Sequence, residues 1–125
     1  MTVEQPPKVD TRVLRILVVE DEVLLAMQIE DVILEMGHEV VGPTARILEA
    51  LDFARHAALD FAILDVNIAG SQSFPVADIL IAREIPFTFA TGYGKEGILE
   101  EYCRHPVLSK PYQASDLRLA VEQIL

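Results

Sequence analysis

Apolar residues fall along this chain in short solid runs that alternate with stretches of helical spacing. Val13-Leu14-Arg15-Ile16-Leu17-Val18-Val19 predicts a strand. From Val23 to Met36, Leu25, Ile29, Val32, Ile33 and Met36 recur on one side, with Gln28, Asp31 and Glu35 on another. Gly37 supplies a stop for that helix. Glu39-Val40-Val41-Gly42 predicts a short second strand broken by Gly42-Pro43. A helix follows from about Ala45 to His56, its apolar side made by Ile47, Leu48, Leu51, Phe53 and Ala54. Phe61-Ala62-Ile63-Leu64 reads as a strand buried on both faces, and it ends in Asp65. Gly70-Ser71-Gln72-Ser73 predicts a loop, Val76 to Arg83 a helix, and Pro86 to Thr91 a fourth strand. Gly92-Tyr93-Gly94 is a loop, with a short, weak helix expected over about Glu96 to Cys103. Pro106 to Ser109 is a fifth strand running into Lys110-Pro111. Leu117, Ala120, Val121 and Ile124 stripe a last helix, about Ala114 to Ile124.

Strands alternating with helices need crossovers, so the pattern predicts an α/β fold. The expectation is a five-stranded parallel sheet of order 2-1-3-4-5 with five flanking helices. Residues 1–12, with Pro6-Pro7, read as a flexible lead-in, and residues 13–125 as one domain. With 51% hydrophobic residues a core can form, yet no apolar run approaches the roughly 20 residues of a spanning helix. A net charge of −10 and no basic run argue against gripping nucleic acid. One cysteine and no hydrophobic leader suit the cytoplasm. His38, His56 and His105 are isolated, which makes zinc improbable.

The chemistry gathers at predicted strand ends. Glu20-Asp21 follow the first strand, Asp65 the third, Thr91 the fourth and Lys110 the fifth. In a 2-1-3-4-5 sheet, strands one and three flank the topological switch point, where ligands bind. Carboxylates converging there repel unless a cation neutralises them, and hard oxygen ligands with open positions suit Mg2+. Asp65 is then a candidate nucleophile toward a phosphoryl donor. Asp21, Asp65 and the backbone carbonyl of Asn67 are expected to ligate the metal, with Glu20 acting through a water. Lys110 pairs first with the Asp65 carboxylate and later with the phosphoryl group. The Thr91 hydroxyl turns in toward the new oxyanion.

Each residue also has a bland role. Glu20, Asp21 and Glu22 can complement a helix N-terminus, Asp65 can cap a turn, Thr91 can be a strand residue, and Lys110 can snorkel at the surface. It is their joint placement at strand ends that favours the chemical reading.

The region from about Val13 to Leu125 resembles a bacterial response-regulator receiver domain. The signatures are Ile16-Leu17-Val18-Val19-Glu20-Asp21-Glu22, Leu64-Asp65-Val66-Asn67, Ala90-Thr91-Gly92 and Ser109-Lys110-Pro111-Tyr112. The resemblance implies that a histidine kinase or phosphotransfer protein donates phosphate from a phosphohistidine to Asp65. It implies no separate enzymatic activity beyond phosphotransfer and hydrolysis of the aspartyl phosphate. The Lys110-Pro111 bond of that family is often cis, which aims the lysine inward. Receivers usually carry an aromatic three positions before the lysine; here that position is Val107. Phe89-Ala90-Thr91-Gly92-Tyr93-Gly94 resembles the loop signature of the subgroup nicknamed FAT GUY, commonly stand-alone receivers lacking that aromatic. Tyr93 is therefore a candidate switch residue.

Other readings compete. A flavodoxin-like nucleotide or flavin binder would cradle phosphate at the first loop, where Glu20-Asp21-Glu22 repel it unless a metal intervenes. A haloacid-dehalogenase-like phosphatase places its nucleophile after the first strand with a second Asp two residues on, whereas Asn67 stands there and the acids come first. A non-phosphorylated docking module is a third. No effector domain follows Leu125, so the expectation is a lone receiver or a piece of a longer protein. Output would pass through the face of the fourth helix, fifth strand and fifth helix, as receivers generally do, or the chain would serve as a phosphate sink or shuttle between kinases.

Overall fold

The computed structural model of the chain describes residues 12–92, 98, 100–102 and 104–125. Strands β1 (Arg15–Val19), β2 (Glu39–Thr44) and β3 (Phe61–Asp65) alternate with helices α1 (Val23–Glu35) and α2 (Ile47–His56). A small hairpin follows, made of β4 (Asn67–Ile68) and β5 (Ser71–Gln72). Then come α3 (Phe74–Ala82), β6 (Phe87–Thr91), a 3-10 turn at Glu100–Tyr102, β7 (Val107–Ser109) and α4 (Ala114–Glu122). The main sheet is parallel, in the order β2-β1-β3-β6-β7, which is the expected 2-1-3-4-5 topology. The connection from β1 runs one way to β2 and the next, from β2 through α2, runs back past β1 to β3, so the switch point lies between β1 and β3.

The sheet is covered on both faces. Leu17, Val19, Ala62, Leu64 and Phe89 pack toward α2 and α3, while Ile16, Val18, Phe61 and Ile63 pack toward α1 and α4. Neighbours along a strand alternate between these two cores, so the central strands are apolar at every step. Burying a Leu, Ile or Phe there contributes about 1.5–3 kcal/mol each. Gly37, at φ +86, closes α1: the Gly37 N–H donates to Leu34 O and the His38 N–H to Ile33 O, a Schellman stop. Buried His38 then accepts the Leu14 N–H at Nδ1 at 3.0 Å, pinning the end of α1 to the start of β1.

Several expectations need correcting. The second strand is not broken at Gly42-Pro43 but runs on to Thr44 as an edge strand. Pro43 lacks an N–H, which an edge strand tolerates, and a register shift opposite Leu17–Val19 absorbs the irregularity. The segment read as the loop Gly70-Ser71-Gln72-Ser73 forms half of a hairpin. Ala69 at φ 49 and Gly70 at φ 86 make its two-residue turn, in the manner of type I′. α3 starts at Phe74, earlier than the expected Val76, because Pro75 sits in the first turn, where no N–H is needed. Four α-helices stand among the described residues where five were expected. The helix foreseen over Glu96 to Cys103 is represented there by Ile98 and the Glu100–Tyr102 turn, and the rest of that span, like the lead-in over residues 1–11, lies outside the described residues. The Gly42-Pro43 and Lys110-Pro111 bonds are both cis. Among the described residues no helix is long and apolar enough to cross a membrane.

Candidate functional site

Register brings the strand ends to one edge of the sheet. Val19 pairs with Leu64, Asp65 with Ala90, and Thr91 with Ser109. The residues that follow or end these strands, Glu20, Asp65, Thr91 and Lys110, are thereby drawn to the same rim. Two further backbone bonds fix the neighbours: Glu20 N–H to Thr44 O at 3.0 Å and Lys110 N–H to Thr91 O at 2.8 Å. One open cavity is lined by Asp21, Asp65, Asn67, Thr91, Gly92 and Lys110. The residues predicted from the sequence thus converge, apart from Tyr93, which lies outside the described residues.

Lys110 is the electrostatic hub. Its Nζ donates to Asp65 Oδ2 at 3.0 Å and lies 3.1 Å from Glu20 Oε1 and 3.9 Å from Glu22 Oε2. Burial pulls the Lys110 pKa down, but its interactions with Asp65 and then Glu20 outweigh it and raise it above its ordinary value. Glu20 is buried at 3% exposure. Its pKa is pushed up to about 7, first by burial and then by its interaction with Asp65, against the lowering pull of the Glu22 N–H, which donates to Oε2 at 3.0 Å. Glu20 Oε1 is buried with no hydrogen bond of good geometry, its contact with Lys110 being coulombic.

Ligand oxygens of Glu20, Asp21 and Asp65 lie within 4.8 Å of one another. Three carboxylates face one ammonium, so the cluster keeps an excess of negative charge when all are ionised. An excess of that kind, in oxygen donors that include an orphaned buried atom, fits a hard divalent cation.

Three features of the site were not foreseen. The hairpin turn donates the Ala69 N–H to Asp21 Oδ2 at 3.0 Å, tying β4–β5 to the acid cluster. Glu22 adds a more distant carboxylate to the Lys110 environment. Tyr112 places a buried hydroxyl, without a hydrogen-bond partner, near the cluster; burial and then the charges of Glu20, Asp65 and Glu22 drive its pKa up. Its position directly after Lys110-Pro111 was the available signal. The backbone donor at Ala69 left none, since any residue but proline has an N–H.

No family model matches the chain. Among curated proteins it is 32% identical over 114 residues to the phyllosphere-induced regulator PhyR of Methylorubrum extorquens, covering 88% of this chain and 43% of that protein. It is 29% identical over 112 residues to the transcriptional regulatory protein PdtaR of Mycobacterium tuberculosis, covering 86% of this chain and 55% of that one. The chain therefore spans about half the length of these relatives. Among solved structures, SdrG from Sphingomonas melonis superposes with a TM-score of 0.79 at 38% identity, over 90% of this chain and 96% of that chain. The PhyR response regulator REC domain of Erythrobacter litoralis superposes with a TM-score of 0.78 at 30% identity, over 90% of this chain and 89% of that chain.

Proposed function

The chain belongs to the response-regulator receiver domains, with a place in two-component signalling, and from that premise we propose that Asp65 is its phosphoacceptor. The observation that carries this reading is the Lys110–Asp65 contact inside an acid cluster at the switch point. The receiver domain is taken to span residues 13–125, with 1–12 leading into it.

An Asp65 carboxylate oxygen attacks the phosphorus of a phosphohistidine carried by a kinase or phosphotransfer protein. A P–O bond forms as the P–N bond breaks, and the electron pair returns to the imidazole nitrogen, which takes up a proton. Asp21, Asp65 and the Asn67 carbonyl would hold Mg2+, with Glu20 acting through water, and the ion would supply charge neutralisation at the transferred oxygens. The residues of the chain do the rest. Lys110 holds the Asp65 oxygen in place before transfer and follows the new charge onto the phosphoryl group afterwards. The Thr91 hydroxyl, at the end of β6, donates to a phosphoryl oxygen and so reports the modification to the sheet edge. The chain has no catalytic role beyond this transfer and the hydrolysis of the aspartyl phosphate, in which water takes the phosphoryl group and the free Asp65 carboxylate is restored.

The donor must bring its imidazole over the rim of the site, and the surface beside that rim is apolar. Val23, Leu24 and Met27 open α1 directly after Glu20–Glu22 and stand 72%, 82% and 54% exposed. A donor helix resting there would reach Asp65. The downstream protein partner is assigned to the β7–α4 edge, which presents Val107, Leu108 and exposed Leu119. A net charge of −10 gives this chain no electrostatic grip on nucleic acid, and the cytoplasm is where its donor would meet it. The test is transfer from a purified, radiolabelled phosphohistidine protein to the chain and to Asp65→Asn. Label passing to the parent alone supports the reading, and label on both chains refutes Asp65.

A further inference from the structure

Tyr102 lies in the 3-10 turn before β7 and is 5% exposed. Its ring stacks on Phe74, the first residue of α3, with centroids 4.8 Å and planes 13° apart. It meets Phe89 of β6 edge-on at 5.9 Å. Its hydroxyl donates to Asp78, about one turn further along α3. Asp78 itself is exposed, so the bond joins a buried ring to a surface carboxylate. Burial, and then the bond and charge of Asp78, hold the phenol firmly protonated, as a donor must be.

This anchor sits next to the phosphoryl-binding machinery. Phe87, Phe89 and Thr91 occupy alternate positions of β6 and share one face of the sheet. Val107 pairs with Phe89 in the β6–β7 register and packs against the same apolar cluster as Tyr102. An aromatic at position 107 would compete for the face of Phe89 that Tyr102 takes. The valine leaves that face to a ring delivered from the preceding turn.

We propose that Tyr102 is the switch aromatic of this receiver, latched to Asp78 before phosphorylation and released when Thr91 turns toward the phosphoryl group. The inference rests on Asp65 being the phosphoacceptor. Movement of Thr91 strains its strand neighbour Phe89, and Phe89 passes the displacement to the ring packed edge-on against it. The latch can break cheaply because Asp78, being exposed, is rehydrated when the hydroxyl leaves, so the two states differ by little. Release frees the Glu100–Tyr102 turn and the outer side of α3 together, giving a partner a surface that depends on the phosphoryl group.

The test uses the full chain with tyrosine labelled by 13C at Cζ. The chain has three tyrosines, and Tyr102→Phe assigns the signal of interest. Mg2+ with beryllofluoride stands in for the bound phosphoryl group. The expected result is a shift of the Tyr102 signal in the parent, with Asp78→Ala displaced toward that activated position beforehand. Asp78→Ala and Tyr102→Phe should each speed phosphorylation by acetyl phosphate at least about fivefold, and the double variant no more than either single one. A Tyr102 signal that stays put while Asp65 gains its phosphoryl group overturns the latch alone, as do unchanged rates in both variants. A parent chain that gains no phosphoryl group from acetyl phosphate or from a phosphohistidine protein overturns the phosphoacceptor reading and the latch with it.

Discussion

Lys110 Nζ lies 3.0 Å from Asp65 Oδ2, and the two residues stand 45 positions apart in sequence. β3 and β7 are not neighbours in the sheet; β6 lies between them, so the lysine reaches past the end of β6 to meet the carboxylate. The same ammonium compensates Glu20 at 3.1 Å. Replacing it leaves the carboxylates facing one another.

Lys110→Ala is therefore expected to destabilise the metal-free protein by about 1–3 kcal/mol, the cost of stripping a charged partner from part-buried groups. Saturating Mg2+ should restore much of that loss. Urea denaturation with and without the metal measures both quantities; a neutral effect in the metal-free protein would mean the ion pair is solvated away.

The raised pKa of Glu20 predicts a pH dependence of stability. The ordinary value is 4.5 and the folded value about 7. Between these the folded state holds a proton that the unfolded chain has released, so stability of the metal-free protein falls as pH rises from about 4.5 to about 7. The contribution is fully present below that window and gone above it. Glu20→Gln should flatten the slope, and Mg2+ should reduce it by favouring the ionised carboxylate. Thermal melts across the window check this, and a stability that climbs with pH there contradicts it.

Gly42→Ala should act on the site from a distance. Gly42 has φ +96, and a Cβ there would lie 2.9 Å from Thr44 N and 3.1 Å from Val18 O. The backbone must shift, and Thr44 O is the acceptor that fixes the Glu20 N–H. A loss of about 1–3 kcal/mol is expected, with weaker Mg2+ binding. Titration calorimetry that finds unchanged metal affinity would separate Gly42 from the acid cluster.

Much of this arrangement was legible in the sequence, for identifiable reasons. The strands ending in Val19, Asp65 and Thr91 are buried on both faces and read as solid apolar runs. Polar residues at or directly after the ends of such runs are conspicuous, so Glu20, Asp21, Asp65 and Thr91 stood out, whereas Lys110 follows the short, half-buried β7 and was marked by its place before Pro111. The β4–β5 hairpin did not, because two-residue strands carry no period and Ala69 is an unusual choice for a left-handed turn position. The bond from Ala69 N–H to Asp21 and that from Tyr102 to Asp78 depend on the path of the backbone, which no spacing rule records.

Whether Asp65 is the phosphoacceptor is read most plainly from intact mass after incubation with Mg2+ and a small acyl phosphate, for the parent chain and for Asp65→Asn. One labile phosphoryl group is expected on the parent and none on the variant. Equal labelling of both would place the nucleophile elsewhere. A parent that gains nothing from this donor or from a phosphorylated histidine kinase would contradict phosphoacceptance outright.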